Sequence, residues 1–198
     1  MEYRTLDITI EEANKLITWL HNEASGQKKH HLQVRNLLMT LLMLDAGLRV
    51  GEVVQLRISD LWMFDAPVES VTLTKDQTKT QRERTIPLSE RIREAIILAH
   101  NFYWPMATER IPLYAFYGSD PKCHLTTRHV RLIISNLSLM TFGRRIHPHT
   151  LRHTFATRLM RKTNIRVVQQ LLGHASLQST QIYTHPNQQD LQTAIKNL

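Results

Sequence analysis

The sequence predicts a mainly α-helical domain with a small antiparallel β-sheet, an α+β arrangement. Apolar residues recur at helical spacing in separated stretches along the chain, and between Asp60 and Leu88 the period shortens to the alternation of a strand. No internal repeat or low-complexity tract interrupts this pattern.

The first helix is predicted from Thr9 and Glu12, which have capping-box spacing, followed by Ile10, Ala13, Leu16, Ile17 and Leu20, with Ser25-Gly26 as the stop. A linker rich in Lys and His follows. Leu32–Ala46 is apolar almost all round before Gly47, the pattern of a buried central helix closed by a glycine. Leu48–Leu56 reads as a short helix with Arg49 near its start, and Trp62–Pro67 as a loop or an extra strand segment. Val71 and Leu73 alternate with threonines, and Arg84-Thr85-Ile86-Pro87 resembles a strand leading into a proline, so a small sheet is expected there. Ser89 is placed to cap a helix reaching about Tyr103, Pro105 and Pro112 punctuate a loop, and Leu125–Met140 carries Val130, Ile133, Ile134 and Leu137 at helical spacing. Beyond His149 the chain reads as three or four short helices, in which Val167, Val168, Leu171 and Leu172 are core packing.

With 198 residues the chain has the length of one compact domain. Lys and Arg number 25 against 17 Asp and Glu, a net charge of +8, which suits a polyanionic partner but also an ordinary basic protein. Cys123 is the sole cysteine, so a disulfide within the chain and a thiolate zinc site are both excluded. The apolar run Leu37–Leu44 is too short to span a bilayer, and the first residues lack a signal-peptide core, which together predict a cytoplasmic location. There is no Gly-rich nucleotide loop, and no cluster of carboxylates suited to two metal ions.

Three segments carry chemistry. In Ile146-His147-Pro148-His149-Thr150-Leu151-Arg152-His153, a helix beginning near Pro148 would put His149 and Arg152 on one face, where an imidazole and a guanidinium could hold a phosphate. Leu171-Leu172-Gly173-His174 is followed by Tyr183, and Ala46-Gly47-Leu48-Arg49-Val50-Gly51-Glu52 supplies an arginine beside the buried helix. Each has an ordinary counterpart: Arg49 alone is a solvated helix residue, Tyr183 a half-buried tyrosine, and His174 a companion of a glycine cap. His149 and His153, four apart, also have zinc-ligand spacing, but a glutamate directly after the first histidine is missing, so neither a metal nor another cofactor is expected.

These segments resemble the signature boxes of the tyrosine recombinase family, which includes phage integrases and the Xer resolvases. The resemblance spans roughly Leu32 to His185, with three boxes in order and each with its internal spacing. It implies the tyrosine recombinase catalytic-domain fold, with Arg49, Lys79, His149, Arg152, His174 and Tyr183 as catalytic residues. Lys79 rather than Lys75 matches the hairpin lysine, because Lys79 through Pro87 carries basic residues and a strand ending in Pro. The chemistry asks for these residue types. Attack by a phenol on a phosphodiester builds charge on the non-bridging oxygens, which the forks of Arg49 and Arg152 can meet. His149 is the candidate base for the phenol and Lys79 the acid for the departing deoxyribose oxygen. His174 adds a hydrogen bond, Glu52 orients and neutralises the arginines, and His153 supports Arg152.

The resemblance further implies a site-specific recombinase or integrase that cleaves and rejoins double-stranded DNA through a 3′-phosphotyrosyl bond without metal or ATP. It would act as a homotetramer on DNA, in a prokaryotic cell and associated with its nucleoid or a mobile element, with accessory DNA-binding proteins as further candidate partners. A topoisomerase-like relaxing enzyme and a catalytically silent DNA-binding regulator are the alternatives. Arg158 and Lys162, with Arg161 and Arg166, are candidates for DNA-backbone contact, whereas Arg144 and Arg145 fit contact and solvation equally. Fewer than fifty residues precede Arg49, so residues 1–198 are expected to form a single catalytic domain without the N-terminal DNA clamp of the family. Residues 186–198, with Leu191, Ala194 and Ile195 as an apolar stripe, are expected to form a tail helix that docks on a neighbouring subunit or folds back in cis.

Overall fold

The computed structural model describes residues 7–24, 30–77, 83–106 and 113–173. Among these the chain forms seven α-helices and two two-stranded antiparallel sheets. This is the mainly α class with small antiparallel sheets that the periodicity predicts.

Helix α1 spans Ile10–Ala24 and opens with the expected reciprocal cap: the Thr9 amide donates to Glu12 Oε2 at 2.9 Å and the Glu12 amide donates to Thr9 Oγ1 at 3.1 Å. Helix α2, His30–Leu44, is the hub. Val34, Leu37, Leu38, Met39 and Leu41 through Leu44 are all buried, because α1, α4 (Glu90–Phe102) and α6 (Pro148–Met160) pack around it. Gly47 then turns the chain with φ +66°, and a Cβ there would collide with the Phe155 ring, so both conformation and space demand glycine. The next helix, α3, is shorter than its apolar pattern suggests, Val50–Gln55, since Arg49 stands at its N-cap in extended conformation.

The interval after α3 holds the strands. Trp62–Met63 (β1) pairs with Ala66–Pro67 (β2) across a two-residue turn in which Phe64 and Asp65 both have positive φ, so the segment read as a loop or strand is a tight hairpin. Ser70–Leu73 (β3) pairs with Arg84–Pro87 (β4), Leu73 opposite Arg84. Val71, Leu73, Arg84 and Ile86 face the core and the threonines between them face solvent.

Helix α5 spans Thr127–Phe142, starting two residues later than expected because Thr126 caps it and running on until Gly143 ends it. Pro148 occupies the first turn of α6, where its missing N–H costs no bond. Asn164 caps the last described helix, α7 (Ile165–Leu172), which Gly173 closes at φ +63°. Helices α6 and α7 share a small apolar cluster of their own, Ala156, Val168 and Leu172, with Phe155, Leu159 and Met160 against it. No helix of the described residues is long and apolar enough to cross a membrane.

Candidate active site

A cleft of about 400 Å³ opens where α3, α5 and α6 meet. Arg49, Glu52, His149 and Arg152, residues from two boxes about a hundred positions apart, line it together with Gln55, Asp76, Gln77, Thr127 and Arg131.

Glu52 organises the cleft floor. It is 2% exposed. Its Oε1 accepts from Arg49 Nη1 at 2.9 Å and Arg84 Nη1 at 3.0 Å, and its Oε2 accepts from the Arg49 backbone N–H at 2.7 Å and Arg84 Nη2 at 2.7 Å. Arg152 Nη1 stands 3.9 Å from the same Oε2. One carboxylate thus faces three guanidiniums, leaving a local surplus of two positive charges beneath the cleft. Burial alone would raise the Glu52 pKa, but the hydrogen bonds and charge of Arg84, the Arg49 amide and the Arg152 charge outweigh it and hold the carboxyl below its ordinary value.

Arg152 is likewise buried. Its Nη1 donates to the carbonyl of Gly47 and its Nη2 to that of Leu172 at 2.7 Å, so one guanidinium joins the turn after α2 to the end of α7. A cation at the C-terminus of a helix is favoured by both the orphan carbonyls and the helix dipole. Arg49 lies at the rim with about a fifth of its side chain exposed, and among the described residues Nη1 is the one side-chain nitrogen with a bond, to Glu52. Its remaining N–H groups border the cleft.

His149, one turn before Arg152 on α6, lies at the cleft mouth. Partial desolvation, then the positive charges of Arg152, Arg49 and Arg131, lower its pKa below the ordinary 6.5. The ring is therefore neutral at pH 7 and able to accept a proton. His153 is not on the cleft wall. Its Nδ1 meets Asp7 Oδ1, and Ile8 N donates to Thr154 Oγ1 at 3.1 Å, so this side of α6 fastens the segment before α1.

The candidate DNA contacts differ among themselves. Arg144 makes a two-pronged ion pair with Glu12, both bonds at 2.7 Å, and also donates to the Asp7 carbonyl. Arg145 donates to Ser135 and Asn136. Arg161, Lys162 and Arg166 are exposed around the α6–α7 turn, and Arg158 is half-buried. Lys79, His174 and Tyr183, together with the expected tail helix, lie outside the described residues.

Three residues, two of the cleft and one beneath it, escape the sequence reading. Arg84 is legible in retrospect: it shares the inward face of β4 with Ile86, and a charge on the buried face of a strand requires a partner. Arg131 and Thr127 carry no such signal, since nothing in the sequence turns that face of α5 toward Arg49.

The chain matches the Phage integrase family over residues 7–190. It belongs to that family. Among curated tyrosine recombinases, this phage integrase family member is 38% identical over 166 residues to one from Pseudothermotoga lettingae, covering 83% of the chain and 54% of the relative. It is 35% identical over 173 residues to the tyrosine recombinase XerC of Listeria monocytogenes, covering 82% and 53%. It spans about half the length of the curated relatives it matches. The crystal structure of XerA recombinase superposes with a TM-score of 0.74 at 25% identity, over 96% of this chain and 64% of that one. The XerH recombinase bound to its difH substrate in a pre-cleavage complex shares the fold, with a TM-score of 0.75 at 24% identity over 96% and 53%.

Proposed function

We propose that this phage integrase family member is the catalytic portion of a site-specific DNA recombinase that cleaves and rejoins double-stranded DNA by transesterification. The observation that carries the reading is the cleft in which Arg49 and His149 border a surplus of buried positive charge organised by Glu52. Such a site stabilises an anion that gains charge during reaction.

In this reading the phosphodiester rests against Arg49, with Arg152 contributing its charge from below. The Tyr183 hydroxyl attacks phosphorus and passes its proton to neutral His149. The bond to the 5′ oxygen breaks, that oxygen takes a proton from Lys79, and a 3′-phosphotyrosyl bond remains together with a free 5′ hydroxyl. His174 donates to a phosphate oxygen. Because the phosphotyrosyl bond keeps the phosphodiester's energy, reversal on a second 5′ hydroxyl rejoins DNA with no input of ATP and no metal. Exchange between two duplexes in a tetramer of this chain, with accessory proteins as further partners, is part of the same proposal, and the resemblance of its boxes to the tyrosine recombinase family is what supports it.

The test is to incubate the protein with supercoiled DNA carrying its element's ends in EDTA, quench with SDS and look for protein attached to DNA, with Tyr183→Phe beside it. An adduct that forms in the wild type and vanishes in the variant is expected. Binding without an adduct in the wild type would instead favour a silent DNA-binding regulator.

A further inference from the structure

We propose that Arg84 is a positioning residue for this reaction, a single guanidinium that registers the Arg49–Glu52 cluster against the end of α7. The inference rests on the DNA-cleaving reading above. Arg84 is 8% exposed and its donors are divided between two elements. Nη1 and Nη2 hold both oxygens of Glu52 at 3.0 and 2.7 Å, and Nε donates to the Leu171 carbonyl at 3.0 Å. Its stem also fills the space beside Gly173: a Cβ there would lie 2.9 Å from Arg84 Cδ and from Nη1. Gly173 is thus the residue that lets the end of α7 rest on the arginine.

The location of Arg84 in the chain gives this contact its reach. It begins β4, five residues after Lys79, and it touches the last residues before His174. Glu52, its partner, holds both the Arg49 backbone and side chain. Displacing Arg84 therefore moves the arginine box, the strand leading from the hairpin lysine and the entry to the segment bearing His174 and Tyr183. The apolar attachment of α7 is small, so polar anchors carry much of its placement. Lysine, with one terminal nitrogen, can neutralise Glu52 but cannot hold its two oxygens and the Leu171 carbonyl together.

The test compares Arg84→Lys, which keeps the charge, with Arg84→Gln, which removes it, the latter also in a Glu52→Gln background so that no buried carboxylate is stranded if the single variant unfolds. Thermal unfolding, DNA affinity and single-turnover cleavage of a nicked suicide substrate are read over a pH series. Arg84→Lys is expected to keep the fold and DNA affinity and to cleave about ten- to a hundredfold more slowly, since small displacements of reacting groups cost that much. Its acid limb should stay where the wild type has it. Arg84→Gln, which gives up the two-pronged ion pair with Glu52, should cleave more slowly still. A fall in cleavage matching only the loss of folded protein or of DNA binding overturns the inference. If the wild type makes no adduct, the reading it rests on fails instead, and NMR of the free protein decides the positioning part: Arg49, Glu52 and Gly173 amide signals that stay at their wild-type positions in folded Arg84→Lys refute it.

Discussion

Arg152 and Glu52 face each other at 3.9 Å across the cleft floor, while Arg152 spends Nη1 on the Gly47 carbonyl and Nη2 on that of Leu172. The pair is thus held by the backbone of two elements rather than by mutual contact, and the carboxylate remains available to Arg49 and Arg84. This division lets a buried acid assemble a cationic site without cancelling it.

Removing Glu52 leaves three guanidiniums facing one another in a buried place. Glu52→Ala should cost about 3–5 kcal/mol, the usual cost of stranding buried charge. Urea unfolding at neutral pH measures it, and a loss under about 1 kcal/mol would show that the arginines turn outward to water at little cost.

The same carboxylate makes stability pH-dependent. Its folded pKa lies below the ordinary 4.5, so its contribution is complete above pH 4.5 and is lost as pH falls through the folded value. The slope of unfolding free energy between about pH 5 and pH 2 should be shallower in Glu52→Gln than in the wild type. Equal slopes would assign the acid sensitivity to other groups such as Asp7 and Glu12, whose pKa values are also lowered.

His149 should titrate below 6.5, and Arg131→Gln should move it upward, since Arg131 is among the charges that oppose its protonation. NMR titration of the free protein reads this directly. A His149 that titrates above 7 would be mostly protonated at pH 7 and so unable to serve as the base.

Glycines should separate by their surroundings. Gly143→Ala meets nothing within 4 Å and bears only the strain of φ +78°, about 1–2 kcal/mol. Gly47→Ala adds the collision with Phe155 and should cost more by about 1–3 kcal/mol. Phe155→Ala should restore part of the difference in a double-mutant cycle, and independence of the two changes would sink the steric explanation.

Arg144→Ala should leave DNA affinity near that of the wild type, because its guanidinium is committed to Glu12. Arg158→Ala and Lys162→Ala should weaken DNA binding and reduce its salt dependence by about one unit of slope for each phosphate that is no longer neutralised. Titration at several salt concentrations checks both, and an unchanged slope in the latter two would remove them from the DNA face.

The sequence alone determined the class and most element positions, because helical period, capping pairs such as Thr9 with Glu12, and glycine stops such as Gly143 act within a few residues. It also made Arg49, His149 and Arg152 legible, since box spacing is local. Only the tertiary structure decided that Arg84 clamps Glu52 and the end of α7, that Arg131 faces His149, and that Arg144 is bound to Glu12 132 residues away. Those choices depend on which helix faces pack together around α2, and the charge pattern of one segment holds no information about the opposite charge that will be buried against it.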